Sequence, residues 1–209
     1  PEPMGSERRM TNRGLRSREF YGGDAAIDRE AFRAYKYDKR YSPQSDVSRF
    51  IDDLVALDLE DEPSLAEAQA LLRGWERDAE IENRGTALAV LAALPAIEAR
   101  RAGQDPPDPR EALRSARDAL LAHHGRLDPT WGRFNRFRRG SLDLPMGGGP
   151  DVLLAAEADG LGPDGTFTVD SGDTLVVFVE WDAHGELRSD TIHQYGSATL
   201  DAGSVHYAD

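Results

Sequence analysis

Apolar residues recur at helical spacing as far as Gly125 and at strand spacing near the end of the chain, with an irregular stretch between. Thr11 is placed to cap a helix running to about Phe20 and ended by Gly22-Gly23. Asp28 caps the next, which sets Phe32 and Tyr35 on one face. After Pro43, Ser45 or Asp46 opens a helix striped by Val47, Phe50, Ile51, Leu54 and Val55, and the acidic cluster Asp58 to Glu62 closes it. Pro63 and Ser64 restart the chain. Ser64 with Glu67 reads as a capping box ahead of an apolar face of Leu65, Ala68, Leu71, Leu72 and Trp75. Thr86 to Leu94 is almost wholly apolar and reads as a buried helix stopped by Pro95. Beyond the loop Gly103 to Pro107, Asp108 caps a further helix, with Pro109 in its first turn, Glu111 three residues after the cap and Gly125 past its end.

From Trp131 the helical period is lost. Arg133 to Arg139 is basic and aromatic, and Gly147-Gly148-Gly149-Pro150 forbids regular structure but lets backbone segments approach closely. Turn signals at Asp159-Gly160 and Pro163-Asp164-Gly165 lead to a short strand, Thr166 to Val169. Leu175 to Val179 is an unbroken apolar run that reads as a strand buried on both faces. The turn Asp182 to Gly185 and the alternating run Leu187 to His193 then pair back on it as a hairpin. The expected fold class is α+β: a tail or cut linker over 1–10, a helical lobe over 11–130, a loop-rich connection over 131–172, and a β hairpin with a C-terminal loop over 173–209.

Composition narrows the function. At 209 residues, with 39% apolar and 30% charged, the chain can bury a sizeable core under a well-solvated surface. No apolar run is long enough to cross a bilayer, no signal peptide is visible, and a formal charge of −13 argues against nucleic acid or an anionic membrane as partner. Arg133 to Arg139 could stack and hold phosphate, but the excess of carboxylates favours pairing within the molecule. The absence of cysteine excludes disulfides and thiol catalysis. The five histidines, His123, His124, His184, His193 and His206, lack metal-binding spacing, and no Walker lysine follows the glycine run. No metal and no cofactor are therefore expected in this chain.

A few residues do not follow from building elements. Arg13 stands in the first turn of a helix, where acidic side chains are favoured, and reads either as a solvated arginine or as a functional one. Glu180 puts a carboxylate at the end of an apolar strand, where an arginine such as Arg188 would pair it. Tyr195-Gly196-Ser197 and Ser204 to Asp209 gather polar and aromatic residues in a loop, with His193 and His206 among them.

Gly172 to Asp182 (GDTLVVFVEWD), His193 to Thr199 (HQYGSAT) and Ser204 to Asp209 (SVHYAD) together resemble the C-terminal part of the β chain of the penicillin acylases, or penicillin amidases. These belong to the N-terminal-nucleophile hydrolases, which include cephalosporin and acyl-homoserine-lactone acylases. Arg9 to Arg13, Tyr35 to Ser42, Gly125 to Pro129 with Trp131-Gly132, and Leu144-Pro145 through Gly149-Pro150-Asp151 match in the same order. The resemblance implies hydrolysis of the amide between an acyl chain and an amine by an N-terminal serine freed by self-cleavage, its own α-amino group acting as base. It implies that the serine, a downstream histidine and the oxyanion asparagine lie upstream of Thr11 to Arg13, outside these residues. The chain would then be a fragment, inactive alone, whose partners are a small acyl amide and the remainder of the acylase, and whose hairpin completes an αββα core. By the same resemblance Arg13 is the arginine that sets hydrogen bonding at the nucleophile, and Glu180 the glutamate that orients the site histidine. A periplasmic or secreted location and a role in antibiotic chemistry or quorum quenching are also implied. The alternative is a non-enzymatic helical module with a β hairpin that binds a partner.

Overall fold

The computed structural model describes residues 10–193 and 201–205. Its helices start where side chains can accept the free N–H groups of a first turn. Helix α1 (Asn12–Tyr21) is capped by Thr11, whose hydroxyl accepts the Gly14 N–H at 3.2 Å, and α2 (Arg29–Lys36) by Asp28, which accepts from Ala31 at 2.8 Å. Ser45 caps α3 (Asp46–Val55). After α4 (Ala66–Arg73) and α5 (Thr86–Arg101) comes α6 (Pro109–His124), held at one end by Asp108 and at the other by Gly125 at φ +65°. A single turn, α7 (Trp131–Phe134), follows.

Two of these helices depart from the sequence pattern. Ser64 and Glu67 do not form a capping box. Pro63 to Leu65 is a 3-10 turn, so Ser64 is already inside a helical turn, and α4 begins at Ala66 with no side-chain cap. Helix α5 is not stopped by Pro95 but continues to Arg101. Pro95 lies on the exposed side, whereas Ala96 and Ile97 go on packing against the core, and that burial offsets the lost backbone bond.

The core is the junction of α3, α4, α5 and α6, where Leu54, Leu65, Leu88, Leu113 and Leu120 are fully buried. Trp131 and Phe134 of α7 extend it, their rings 5.7 Å apart, with Phe134 only 4.8 Å from Phe167. These aromatics seat the sheets against the bundle. Strand β1 (Asn135–Arg139) pairs antiparallel with β2 (Leu142–Pro145) and parallel with β4 (Phe167–Thr168), while β3 (Ala156–Glu157) pairs with β5 (Ser171–Gly172).

The hairpin forms as its sequence requires: β6 (Leu175–Trp181) lies antiparallel to β7 (Leu187–His193), in register from Leu175↔His193 to Trp181↔Leu187. Gly185 takes φ +83° in the turn. Yet β6 is not buried on both faces. Phe178 packs under Phe32 and Tyr37, at ring distances of 5.8 and 6.1 Å, but Leu175, Val177, Val179 and Trp181 face outward, Trp181 being 67% exposed. Two strands laid on one helix have only one face to cover, and an apolar run alone does not say whether a second layer exists. Among the described residues, no helix is long and apolar enough to cross a membrane.

Candidate functional site

Asn12, the first residue of α1, is 1% exposed and uses every polar atom of its side chain. Its amide nitrogen donates to the carbonyls of Arg40 and Asp151, at 3.1 and 2.9 Å, and its oxygen accepts the Ser42 N–H at 2.7 Å. Its backbone N–H donates to Asp151 Oδ2 at 2.7 Å. A buried amide with any of these bonds missing would be costly, so Asn12 locks the start of α1, the Arg40–Ser42 segment and Pro150-Asp151 to one another.

The Pro150-Asp151 corner is pinned from below. Tyr41 is buried and donates its hydroxyl to Pro150 O at 2.9 Å; burial, with the charges of Asp151 and Glu157, pushes that hydroxyl far above the usual tyrosine range. The glycine run supplies the close approach its composition suggests. At Gly148, φ is +80° and a Cβ would sit 2.3 Å from Leu154 O; its carbonyl accepts the Trp131 indole N–H at 2.7 Å. Asp151 itself takes φ +61°, a left-handed conformation that Asp tolerates better than most residues. Burial raises its carboxyl pKa, against the opposing pull of the Asn12 N–H and the Arg13 charge.

Around this hub the charged side chains are also committed. Arg16 forks onto both oxygens of Asp38, at 2.9 and 3.1 Å, and lies over the Phe20 ring. Ser42 donates to Glu19 at 2.6 Å, and Lys36 reaches both Leu153 O and Asp173.

Arg13, next to Asn12 on α1, is 47% exposed, with its Nε 3.6 Å from Asp151 Oδ1. Glu180 lies elsewhere. Its carboxylate faces Arg29 Nε of α2 at 3.2 Å, not its cross-strand neighbour Arg188. It lines an open cleft of about 340 Å³ between α2 and the hairpin, walled by Tyr21, Phe32 and Phe178. Arg13 does not line that cleft, so the structure does not bring the two candidate site residues together. The side chain of His193, Tyr195-Gly196-Ser197 and His206 to Asp209 lie outside the described residues.

A sequence profile of the family described as Penicillin amidase matches residues 3–209. The chain belongs to the penicillin amidase family. No curated protein matches it.

In this member of the family, segments that carry the resemblance meet in space: Asn12-Arg13, Tyr35 to Ser42, and Gly149 to Asp151 all border the Asn12 hub. Sequence reasoning included Asn12 and Asp151 in those segments without giving either a role. The one signal open to it was an aspartate directly after Gly-Gly-Gly-Pro, where a left-handed backbone is common. Arginines of β1 pair within the chain, as the charge balance suggested: Arg136 with Asp143 at 2.8 Å and Arg138 with Asp164 at 2.8 Å. His124 meets Gly165 O at 2.7 Å and the Phe134 ring, a packed position. Among the described residues no His, Cys, Asp and Glu cluster could hold a metal. Membership places the chain among amidohydrolase-like proteins.

Proposed function

We propose that this chain forms part of an amidohydrolase that cleaves the amide between an acyl chain and an amine, of the β-lactam or acyl-homoserine-lactone type. The observation that carries the reading is the family match over residues 3–209. In the proposed reaction a serine at a chain N-terminus, contributed from outside these residues, attacks the carbonyl while its α-amino group takes the proton. Donors aimed at the developing oxyanion contribute on the order of 3 kcal/mol each in other acyl-transfer enzymes.

Arg13 is proposed to set the hydrogen bonding at that serine. Its position suits such a role, because the backbone beside it is immobilised by Asn12 while its side chain is half exposed and able to face a neighbouring segment. Glu180 is proposed to orient a histidine. Arg29 now faces Oε2 of that carboxylate at 3.2 Å, so the histidine would bond Oε1 or take the place of Arg29.

The test is N-terminal sequencing and intact mass of the native protein, followed by an acyl-amide assay on it and on this chain alone. Two chains are expected, the one containing these residues beginning with serine, with turnover by the native protein and none by the isolated 209-residue chain. A single native polypeptide near 23.0 kDa, or turnover by the isolated chain, overturns the reading.

A further inference from the structure

Asp151 has features that holding a turn does not require. A turn at φ +61° after a proline is served as well by Gly or Asn, which carry no charge to bury. Here a carboxylate is buried instead, and its two oxygens are used differently. Oδ2 accepts the Asn12 N–H at 2.7 Å. Oδ1 is shielded from solvent and makes no hydrogen bond of good geometry among the described residues; the Arg13 guanidinium stands 3.6 Å away, and the Arg13 backbone N–H and the Arg101 charge also favour the charged carboxylate. A buried carboxylate oxygen without a donor is costly unless a cation compensates it, and Arg13 supplies that cation. The carboxylate is itself fixed through its own backbone: Asp151 O accepts from Asn12 Nδ2, and Pro150 O accepts from the buried Tyr41 hydroxyl. The long arginine stem has many rotamers, and the side chain is half exposed. A fixed negative charge at its root selects among them.

We propose that Asp151 is a positioning residue for Arg13: its buried carboxylate, held by Asn12 and by the Tyr41–Pro150 contact, fixes the direction in which the Arg13 guanidinium is presented. This rests on the reading of Arg13 as a site residue given above. The charge matters for the reaction, the backbone conformation for the fold.

The experiment is steady-state acyl-amide kinetics on the full-length native enzyme with Arg13→Gln, Asp151→Asn, Asp151→Gly and the Arg13→Gln/Asp151→Asn double variant, each with a melting temperature. Asparagine keeps an acceptor for the Asn12 N–H, and glycine suits the left-handed backbone, so either variant that folds answers the question. The expected result is a fall in kcat of about tenfold to a hundredfold for Arg13→Gln and for each folded Asp151 variant, the cost of misplacing a group at the reacting centre. KM should stay within about twofold of the parent, as expected when an interaction made only in the transition state is lost. Asp151→Asn should add nothing in the Arg13→Gln background and should not lower the melting temperature. If Arg13→Gln lowers kcat but the Asp151 variants do not, or if neither Asp151 variant folds, the positioning role is overturned and Asp151 belongs to the fold alone. If Arg13→Gln leaves kcat unchanged, the site reading of Arg13 fails, and this proposal fails with it.

Discussion

At the scale of single residues, the structure separates side chains that hold the fold from those that remain free to act. Asn12 belongs to the first kind. Asn12→Ala would leave the Ser42 N–H without its acceptor and the Arg40 and Asp151 carbonyls without their donor. The expected loss is about 2–4 kcal/mol of unfolding free energy by denaturant titration, at the upper end for one buried polar group because three partners are stranded. Asp151 behaves differently with pH. Its carboxyl pKa is raised by burial, so the folded chain binds the proton more tightly than the unfolded chain does. Its contribution to stability is therefore present below the ordinary aspartate pKa and is lost as pH rises through the raised value. Comparing Asp151→Asn with the parent across that range, the stability of the variant relative to the parent should climb with pH; a difference that stays level would show that the carboxyl is not shifted. What the sequence disclosed at this scale was local. Thr11, Asp28, Ser45 and Asp108 could be read as caps because each meets an N–H two or three residues away. The partners of Asn12 lie 28, 30 and 139 residues away, and no spacing rule reaches that far.

At the scale of elements, local rules failed where burial outweighed them. Pro95 should end a helix, and the apolar face carried on by Ala96 and Ile97 keeps α5 going to Arg101. Because the ring is on the exposed side, Pro95→Ala is expected to restore a backbone bond without disturbing packing. Helix α5 should gain about 1–3 kcal/mol, read from the shift of the urea midpoint. A loss of stability instead would mean that the proline ring is needed where it stands. The hairpin teaches a related lesson. Its register and turn were legible from alternation and from Gly185, because both are properties of neighbouring residues. Whether Leu175 to Val179 is covered on one side or two depends on what packs on it from elsewhere, and the strand's own residues do not encode that.

For the whole molecule, charge and apolar surface pull in opposite directions. Arginine hydrogen bonds hold several carboxyls below the usual range, those of Asp61, Glu62, Asp128 and Asp143. Groups of this sign stabilise the folded chain above the ordinary carboxylate pKa and cease to do so as pH falls through their lowered values. Acid should therefore weaken the fold, and more steeply in low salt than in high, since these pairs lie at the surface and are screened. Thermal melts at two ionic strengths check this. The outward face of the hairpin works the other way. Leu175, Val177, Val179, Trp181 and Leu187 form an exposed apolar strip on an antiparallel pair. The isolated chain is expected to sediment as more than a monomer despite its charge of −13. Val177→Thr with Val179→Thr should shift it toward the monomer, and unchanged sedimentation would place the contact elsewhere.

The bond between Asn12 and Asp151 also sets an order of events. Helices α3 to α6 can collapse as soon as they are made, since their contacts are close in sequence, but the Asn12 backbone N–H lacks its acceptor until Asp151 has been synthesised, 139 residues later. At translation rates of about 5–20 residues per second, that wait is roughly 7 to 28 seconds. Through it α1 has its partners at Asp38, Arg40 and Ser42, but the Asn12 hub is incomplete. The turn that carries Arg13 is thus completed only late in synthesis, and until then it is a segment on which a chaperone could act.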